Sequence, residues 1–330
     1  MHFLLFLNII DLIFYIKEKT KMADLKNVEK IAKDIKDITI QWATNIAREA
    51  CKIMQQELLN WDFKNENELS DFFNQASQML IDARETEPLL RNAMKYAKSK
   101  LKWWANANKI ADTFWEYLWW IEREEGIRPE IWSELIHDWD IIFTHCHSKS
   151  VIDILVKARN DWKKIHVYNT ETRPLYQWRK TSKDLVKAWV PDTMITDDTA
   201  PFFIDNTIEE KIDAKKVFLG SDCIKPDWAT INKVWSFSIG LSAWHSGIPL
   251  YIVWSLLKID IEKNIWIETR DGKELWPEAP EWLNIINYAF DIIPPKCITG
   301  IITEFGVIRP ENLTKEIEKH YPRMLNQQTQ

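Results

Sequence analysis

The stretch Thr144-His145-Cys146-His147-Ser148-Lys149-Ser150 sets a thiol between two imidazoles, with an ammonium and two hydroxyls directly after it. The run before it, DIIFT, is strand-like, and SVIDILVKARN after it is helical, so Cys146 falls on a turn just ahead of a helix start. A helix N-terminus and nearby positive charge favour the thiolate, which can move protons or attack carbonyls. A lone cysteine is more often buried and inert. Here the polar flanks weigh toward function. His145 and His147, two apart on a strand, face one side, but no third metal ligand follows from the spacing, so no metal site is expected and orienting the loop is their plainer role. Ser148, Lys149 and Ser150 suit a phosphate at the helix start, and a plain N-cap would use the same hydroxyls.

Asp222, after the strand-like KKVFLGS, is the second candidate. A carboxyl at a strand end can be kept protonated by desolvation and act as an acid, or stay ionised and act as a base. A simple turn or capping carboxylate is an equal alternative. Asn232-Lys233 and Lys258 add an amide and two cations that could hold a second phosphate; a solvated surface lysine is the usual fate of such residues.

These residues need elements to hold them. From residue 22 to about 130 the apolar residues recur at three- and four-residue spacing, as in LKNVEKIAKDIKDI and ATNIAREACKIMQQELLN, which predicts a helical N-terminal domain. Over residues 131–330 short β-rich runs alternate with helical ones: IHVYN then TSKDLVKA, DTMIT, KKVFLG, and SFSIGLSAWHS before PLYIV. That alternation predicts an α/β, Rossmann-like domain with a parallel sheet covered on both faces. In such a sheet ligands bind at the carboxyl ends of the strands. The segments there are 144–150, 170–173, 196–198, 220–222 and 255–258, rich in hydroxyls and charges, with the thiol of Cys146 among them.

Composition narrows the function classes. The net charge is −6 with charges of both signs dispersed, and no basic stripe interleaved with aromatics serves a nucleic acid. The four cysteines form no Cys-x-x-Cys pair, which argues against a disulfide framework or structural zinc and for a reducing, cytoplasmic compartment. The opening HFLLFLNIIDLIFYI is shorter than the about 20 apolar residues of a bilayer span. No membrane association is expected, and residues 1–21 read as an over-extended start with Met22 as the true one.

The segments THCHSKS, NTETRPLYQWRKT, VFLGSDCI, INKVW and LLKID resemble the family of initiation factor 2B alpha, beta and delta subunits, over roughly residues 30–315. That family also holds ribose-1,5-bisphosphate isomerase and 5-methylthioribose-1-phosphate isomerase. In the isomerase branches the resemblance implies that Cys146 exchanges a proton at the sugar C2 and Asp222 assists ring opening and proton transfer at oxygen, with no cofactor. It implies substrate contacts from Gln41, Trp42, Ala43 and Thr44, from Arg84, from Ser148, Lys149 and Ser150, from Asn232 and Lys233, and from Lys258. Two departures stand out: Gln41 replaces a substrate-binding arginine, and Lys149, where the isomerase has a small residue, could restore the charge. The closest implied activity is conversion of ribose 1,5-bisphosphate to ribulose 1,5-bisphosphate in nucleoside salvage (AMP metabolism), by a homodimer or larger homo-oligomer. A non-catalytic regulatory or nucleotide-sensing subunit is the alternative, and methylthioribose chemistry the third.

One oddity cuts across all of this. The chain has 19 tryptophans and 7 glycines, together 26, where an average protein holds about 7% glycine. Tryptophan follows Pro226-Asp227, Asn160-Asp161 and His137-Asp138, turn openings whose next residue is ordinarily glycine. The family resembled has glycine where Trp42, Trp139, Trp178, Trp189, Trp228 and Trp235 stand. The expectation is that most of these tryptophans are UGA codons that the source reads as glycine, with positive φ at Trp178 and Trp228 and a genuine tryptophan at Trp276. A truly tryptophan-rich chain is the alternative.

Overall fold

The computed structural model describes residues 24–85, 87–101, 106–205, 212–225, 227–259 and 267–321. The expected over-extended start at 1–21 and Pro226 lie outside them. The chain divides into two compact units, Met1–Ile121 and Glu122–Gln330.

The first unit is helical: α1 (Lys26–Lys36), α2 (Ala43–Asn60), α3 (Glu66–Ala83), α4 (Pro88–Leu101) and the start of α5 (Ala107–Trp132). Spacing explains which face each helix buries. In α1 the buried residues are Val28, Ala32 and Ile35, four and three apart, on one stripe. The side chain of Asn65 caps α3 by accepting from the backbone N–H of Glu68. Pro88 opens α4, where its missing N–H costs nothing. Helix α1 packs on α3, and α2 on α4.

The second unit carries β1 (Ile141–Thr144), α6 (Lys149–Asn160), β2 (His166–Thr170), α7 (Trp178–Lys187), β3 (Asp192–Ile195), the short α8 (Ala200–Ile204), β4 (Lys216–Leu219), β5 (Cys223–Ile224), β6 (Thr230–Lys233), α9 (Ser236–His245) and β7 (Leu250–Val253). After them come β8 (Thr269–Arg270), β9 (Asn287–Tyr288), β10 (Phe290–Ile293), β11 (Gly300–Thr303), β12 (Gly306–Ile308) and α10 (Leu313–His320). Seven strands form one sheet in the order β12-β11-β7-β4-β1-β2-β3. All pairs are parallel except β11 with β12.

Both faces of this sheet are covered, as expected for a doubly wound fold. Ile142, Val167, Phe218, Val253 and Ile302 point into a cluster with Val151, Ile154 and Leu155 of α6 and Leu185 of α7. Their neighbours Phe143, Val217, Leu219, Ile252 and Ile301 point the other way, into a cluster with Ile239 and Ala243 of α9 and Leu313 and Ile317 of α10. The alternation is the period-two signature of a strand buried on both sides.

The strand order has one reversal that matters. The chain runs β1, β2, β3 toward one edge, then returns to place β4 on the other side of β1. Crossovers diverge there, leaving a crevice above the carboxyl ends of β1 and β4. A second, antiparallel sheet, β10-β6-β5, was not foreseen from the sequence, because β5 has only two residues and polar residues interrupt β6 (TINK) and β10 (FDII).

Trp228 has a φ of 70°, as expected of the residue after Pro226-Asp227. Trp178 does not follow that expectation: it is the first residue of α7 and is absent from the positive-φ residues, so no strain arises there.

Candidate functional site

Cys146 lies just beyond β1, in the left-handed region at φ 66°, a conformation that a side-chain-bearing residue holds only where its surroundings impose it. The imposing contacts are visible. Thr181 Oγ1 of α7 donates to the carbonyl of Cys146 at 2.8 Å, and the thiol donates to Oε1 of Gln177 at 3.3 Å. Sequence reasoning named neither residue, since a glutamine ahead of a helix carries no signal of its own.

Across the crevice stands the end of β4. A Cβ built on Gly220 would lie 2.8 Å from Cβ and Oγ of Ser148. The two loops therefore meet backbone against side chain, and only glycine fits. Asp222 follows, its N–H bonded to the carbonyl of Ile231 at 3.1 Å.

The thiol sits between opposing influences. Burial pushes it up to about 11, the charges of Asp222 and Asp197 push the same way, and the Lys233 ammonium and an N–H from His147 pull it down. Burial wins. The expected resting thiolate is therefore corrected: at neutral pH Cys146 is a thiol, because desolvation outweighs the nearby positive charge.

Asn232 and Lys233 end β6 and are both buried. Asn232 Nδ2 donates to Ser236 Oγ at 2.9 Å, and that hydroxyl donates to the Lys233 carbonyl at 2.6 Å. The Lys233 ammonium lies 4.6 Å from the centre of the Phe290 ring. In the β6–β10 ladder Asp291 stands opposite Asn232, and its carboxylate accepts the N–H of Phe237 at 3.0 Å. Burial pushes the Asp291 carboxyl up to about 7, opposed by the N–H groups of Phe237 and Trp235 and by Lys233.

His145 ties these parts together. It is buried, and burial pulls it down to about 4, so it is neutral. Nε2 faces the Val234 carbonyl at 2.8 Å, an acceptor, so Nε2 carries the proton. Nδ1 is then the acceptor for the Thr170 hydroxyl. The ring thus joins the end of β1 to the end of β2 and to the segment after Lys233. Behind it, the Asp197 carboxylate accepts the N–H groups of Thr172 and Arg173 at 2.8 and 2.7 Å.

His147 turns elsewhere. Its Nδ1 lies 3.2 Å from Thr181 Oγ1. That hydroxyl gives its one proton to Cys146, so Nδ1 donates here. Because the two imidazoles serve different partners, they do not converge on an ion. Among the described residues no group of three or more His, Cys, Asp or Glu could hold a metal.

The remaining expected residues divide. Ser148 is the N-cap of α6, accepting from Val151 at a long 3.5 Å, and Lys149 and Ser150 form the helix's first turn. The Lys149 ammonium is exposed and paired with Asp153 at 2.5 Å, an ordinary i,i+4 pair, so its charge is already engaged on the helix surface. Lys258 ends a 3-10 turn, and the next residue, Ile259, bridges to Ile224 of β5. Gln41, Trp42, Ala43, Thr44 and Arg84 belong to the first unit. There the Gln41 amide donates to the Ile38 carbonyl at 2.9 Å, and Arg84 Nε lies 3.5 Å from Glu87 Oε1.

Comparison with known proteins decides the family. The sequence matches the initiation factor 2 subunit family over residues 39–310. The chain belongs to that family. It is 31% identical over 303 residues to a ribose 1,5-bisphosphate isomerase of Pyrococcus furiosus, covering 87% of this chain and 91% of that one. A methylthioribose-1-phosphate isomerase of Desulforamulus reducens is 33% identical, over only 56% of this chain and 58% of that one. The crystal structure of a translation initiation factor eIF-2B of Pyrococcus horikoshii superposes with a TM-score of 0.75 at 23% identity, covering 86% of this chain and 97% of that one, a likeness of fold. Among the described residues no helix is long and apolar enough to cross a membrane.

The neutral imidazoles make stability depend on pH. Burial holds both His145 and His147 down to about 4, below the ordinary value of about 6.5. Between those values the unfolded chain binds more protons than the folded one, so this contribution is complete above about pH 6.5 and is lost as pH falls toward 4. Urea midpoints measured across that window fall with pH. The fall is shallower in His145→Gln, which has no proton to gain.

Proposed function

We propose that the protein isomerises ribose 1,5-bisphosphate to ribulose 1,5-bisphosphate. The observation that carries this reading is the placement of Cys146 just beyond β1 and Asp222 just beyond the neighbouring β4, close enough for the Asp222 charge to act on the thiol, in a chain that matches ribose 1,5-bisphosphate isomerases over nearly its whole length. Asp222 protonates the ring oxygen as the bond from that oxygen to C1 breaks. Cys146, as thiolate, takes the proton from C2, giving an enol across C1 and C2. The proton is returned from the thiol to C1, and Asp222 takes the proton of the C2 hydroxyl as the carbonyl forms. Every proton is accounted for between two side chains. Lys233 and Asn232, together with Ser148, Ser150 and Lys258, would hold phosphates at the rim. We place the enzyme in the cytoplasm, as a homodimer or larger homo-oligomer in nucleoside salvage.

The test is conversion of ribose 1,5-bisphosphate, followed by appearance of ribulose 1,5-bisphosphate, beside 5-methylthioribose 1-phosphate as a competing substrate. Turnover of the bisphosphate alone supports the reading. Turnover of neither by a folded protein favours a regulatory subunit, for which the substitution of arginine by Gln41 is the motivating feature.

The shared proton sets the pH profile. The mechanism needs Asp222 protonated and Cys146 ionised together, the same number of protons as the resting pair of carboxylate and thiol, so kcat/KM is flat from about pH 7 to 9.5 and falls only as the pair loses its proton toward about 11. A tenfold climb per unit across that range would mean that the thiolate acts without a protonated Asp222, and would remove that carboxyl as the acid.

A further inference from the structure

We propose that residues 42, 139, 162, 189, 228 and 235 are glycine in the protein as its source makes it, encoded by UGA. The sequence raises this idea for most of the tryptophans together. The backbone assigns it position by position.

Among the described residues eleven non-glycine positions have positive φ, and six of them are tryptophans: Trp42, Trp139, Trp162, Trp189, Trp228 and Trp235, at 58° to 85°. Tryptophan is 19 of 330 residues, so chance does not put it at half of these sites. The local motifs ask for glycine by name. At the end of α6, Trp162 donates to the Arg159 carbonyl and Lys163 to that of Ala158, the crossed pair of bonds of a Schellman motif with Trp162 at its left-handed position. At the end of α7 the same pair joins Trp189 to Val186 and Val190 to Leu185. The end of α9 repeats it, Gly247 to Trp244 and Ile248 to Ala243, and there the left-handed residue is glycine, with φ 69°.

Trp228 closes the connection between β5 and β6. The Trp228 N–H donates to the Lys225 carbonyl, and that of Lys225 to the Ala229 carbonyl, which is the three-residue hairpin whose last loop residue is left-handed and ordinarily glycine. Trp42 is more extreme still. Its φ of 66° with ψ of 133° lies near a region essentially reserved for glycine. Trp235 precedes α9 at φ 85°, ψ −14°.

Burial offers no compensation at the helix ends. Trp162 and Trp189 are 85% and 82% exposed, so their indoles gain nothing for the strain they bear. Trp132 shows the contrast: it is buried, has a right-handed backbone, and its indole N–H donates to the Thr303 carbonyl at 2.8 Å. We assign Trp132 as a true tryptophan. The assignment also reaches the candidate site, since Trp235 stands two residues after Lys233. Glycine there uncovers backbone next to a group proposed to meet the sugar phosphate.

The test is peptide mass mapping of the protein purified from its source, with the gene sequenced in parallel. Peptides spanning the six positions are expected lighter than the tryptophan form by one indolylmethyl group per site, with UGA at each codon, while the peptide with Trp132 keeps its indole. UGG codons, or intact tryptophan at 162 and 189, overturn the proposal. This outcome is independent of the isomerase assay, because masses report the residues whether or not the protein turns over a sugar.

Discussion

Cys146→Ala slows conversion of ribose 1,5-bisphosphate by roughly 10²- to 10⁴-fold, the range expected when a positioned proton-transfer group is removed. The loss falls on kcat, since the rim that holds the phosphates is untouched. Asp222→Asn is expected to lose a comparable factor, and the double variant little more than either alone, because the two groups act in one proton circuit and their effects do not add. Steady-state kinetics of the three variants check this. If Cys146→Ala keeps turnover within a few-fold of the parent, proton transfer by the thiol is wrong, whatever the fate of the substrate assignment.

A comparably large effect is expected on stability. A left-handed backbone costs a side-chain-bearing residue about 1–2 kcal/mol. Six such sites approach the whole about 5–15 kcal/mol that holds a domain folded, even though they do not add in full, since Trp162 and Trp189 share Arg159 and Trp139 pairs with Lys164 close to Trp162. Glycine returns some of this through the greater freedom of the unfolded chain, about 0.5–1 kcal/mol per site, but the balance still favours glycine. The chain with literal tryptophan at all six positions is therefore expected to melt early and broadly or to aggregate, and the six-glycine version to melt sharply and at least about 10 °C higher. Trp132→Gly added to the six-glycine version reverses part of that gain, by about 3–5 kcal/mol, because it empties a buried site. Thermal melts of the three proteins decide it. Equal, sharp transitions for the tryptophan and glycine versions would contradict the strain argument.

The sequence disclosed the sheet and the helices well, because strands such as β1, β4 and β7 are short, mostly apolar runs and the helices between them are amphipathic. It disclosed little of the small β10-β6-β5 sheet, where β5 has only two residues and polar residues interrupt β6 and β10. The thiol and the carboxylate were legible as candidates because strand ends in a doubly wound sheet are few. Their electrostatics were not. Polar neighbours suggested an easily ionised Cys146, but the fold buries His145 completely and crowds the thiol, and the sign of the shift comes from that three-dimensional burial. Gln177 and Thr181 were invisible for a related reason: they act through contacts across the fold that no spacing along the chain announces, and Asp197 was legible only as part of the strand-end segment 196–198. The pairing of Lys149 with Asp153 one helical turn away is a contact that the i,i+4 spacing did announce.

The crowded thiol of Cys146 has a bearing on how the protein lasts in a cell. Oxidants attack thiolates, and they select those that are exposed and easily ionised. A cysteine held as a thiol, half-covered and bonded to Gln177 Oε1, offers peroxide a slow target. During synthesis that shelter is missing: Gln177 follows Cys146 by 31 residues, and until that segment folds back on the end of β1 the residue is an ordinary free sulfhydryl. The docking of the segment that leads into α7 therefore sets the moment at which the sulfur becomes chemically quiet.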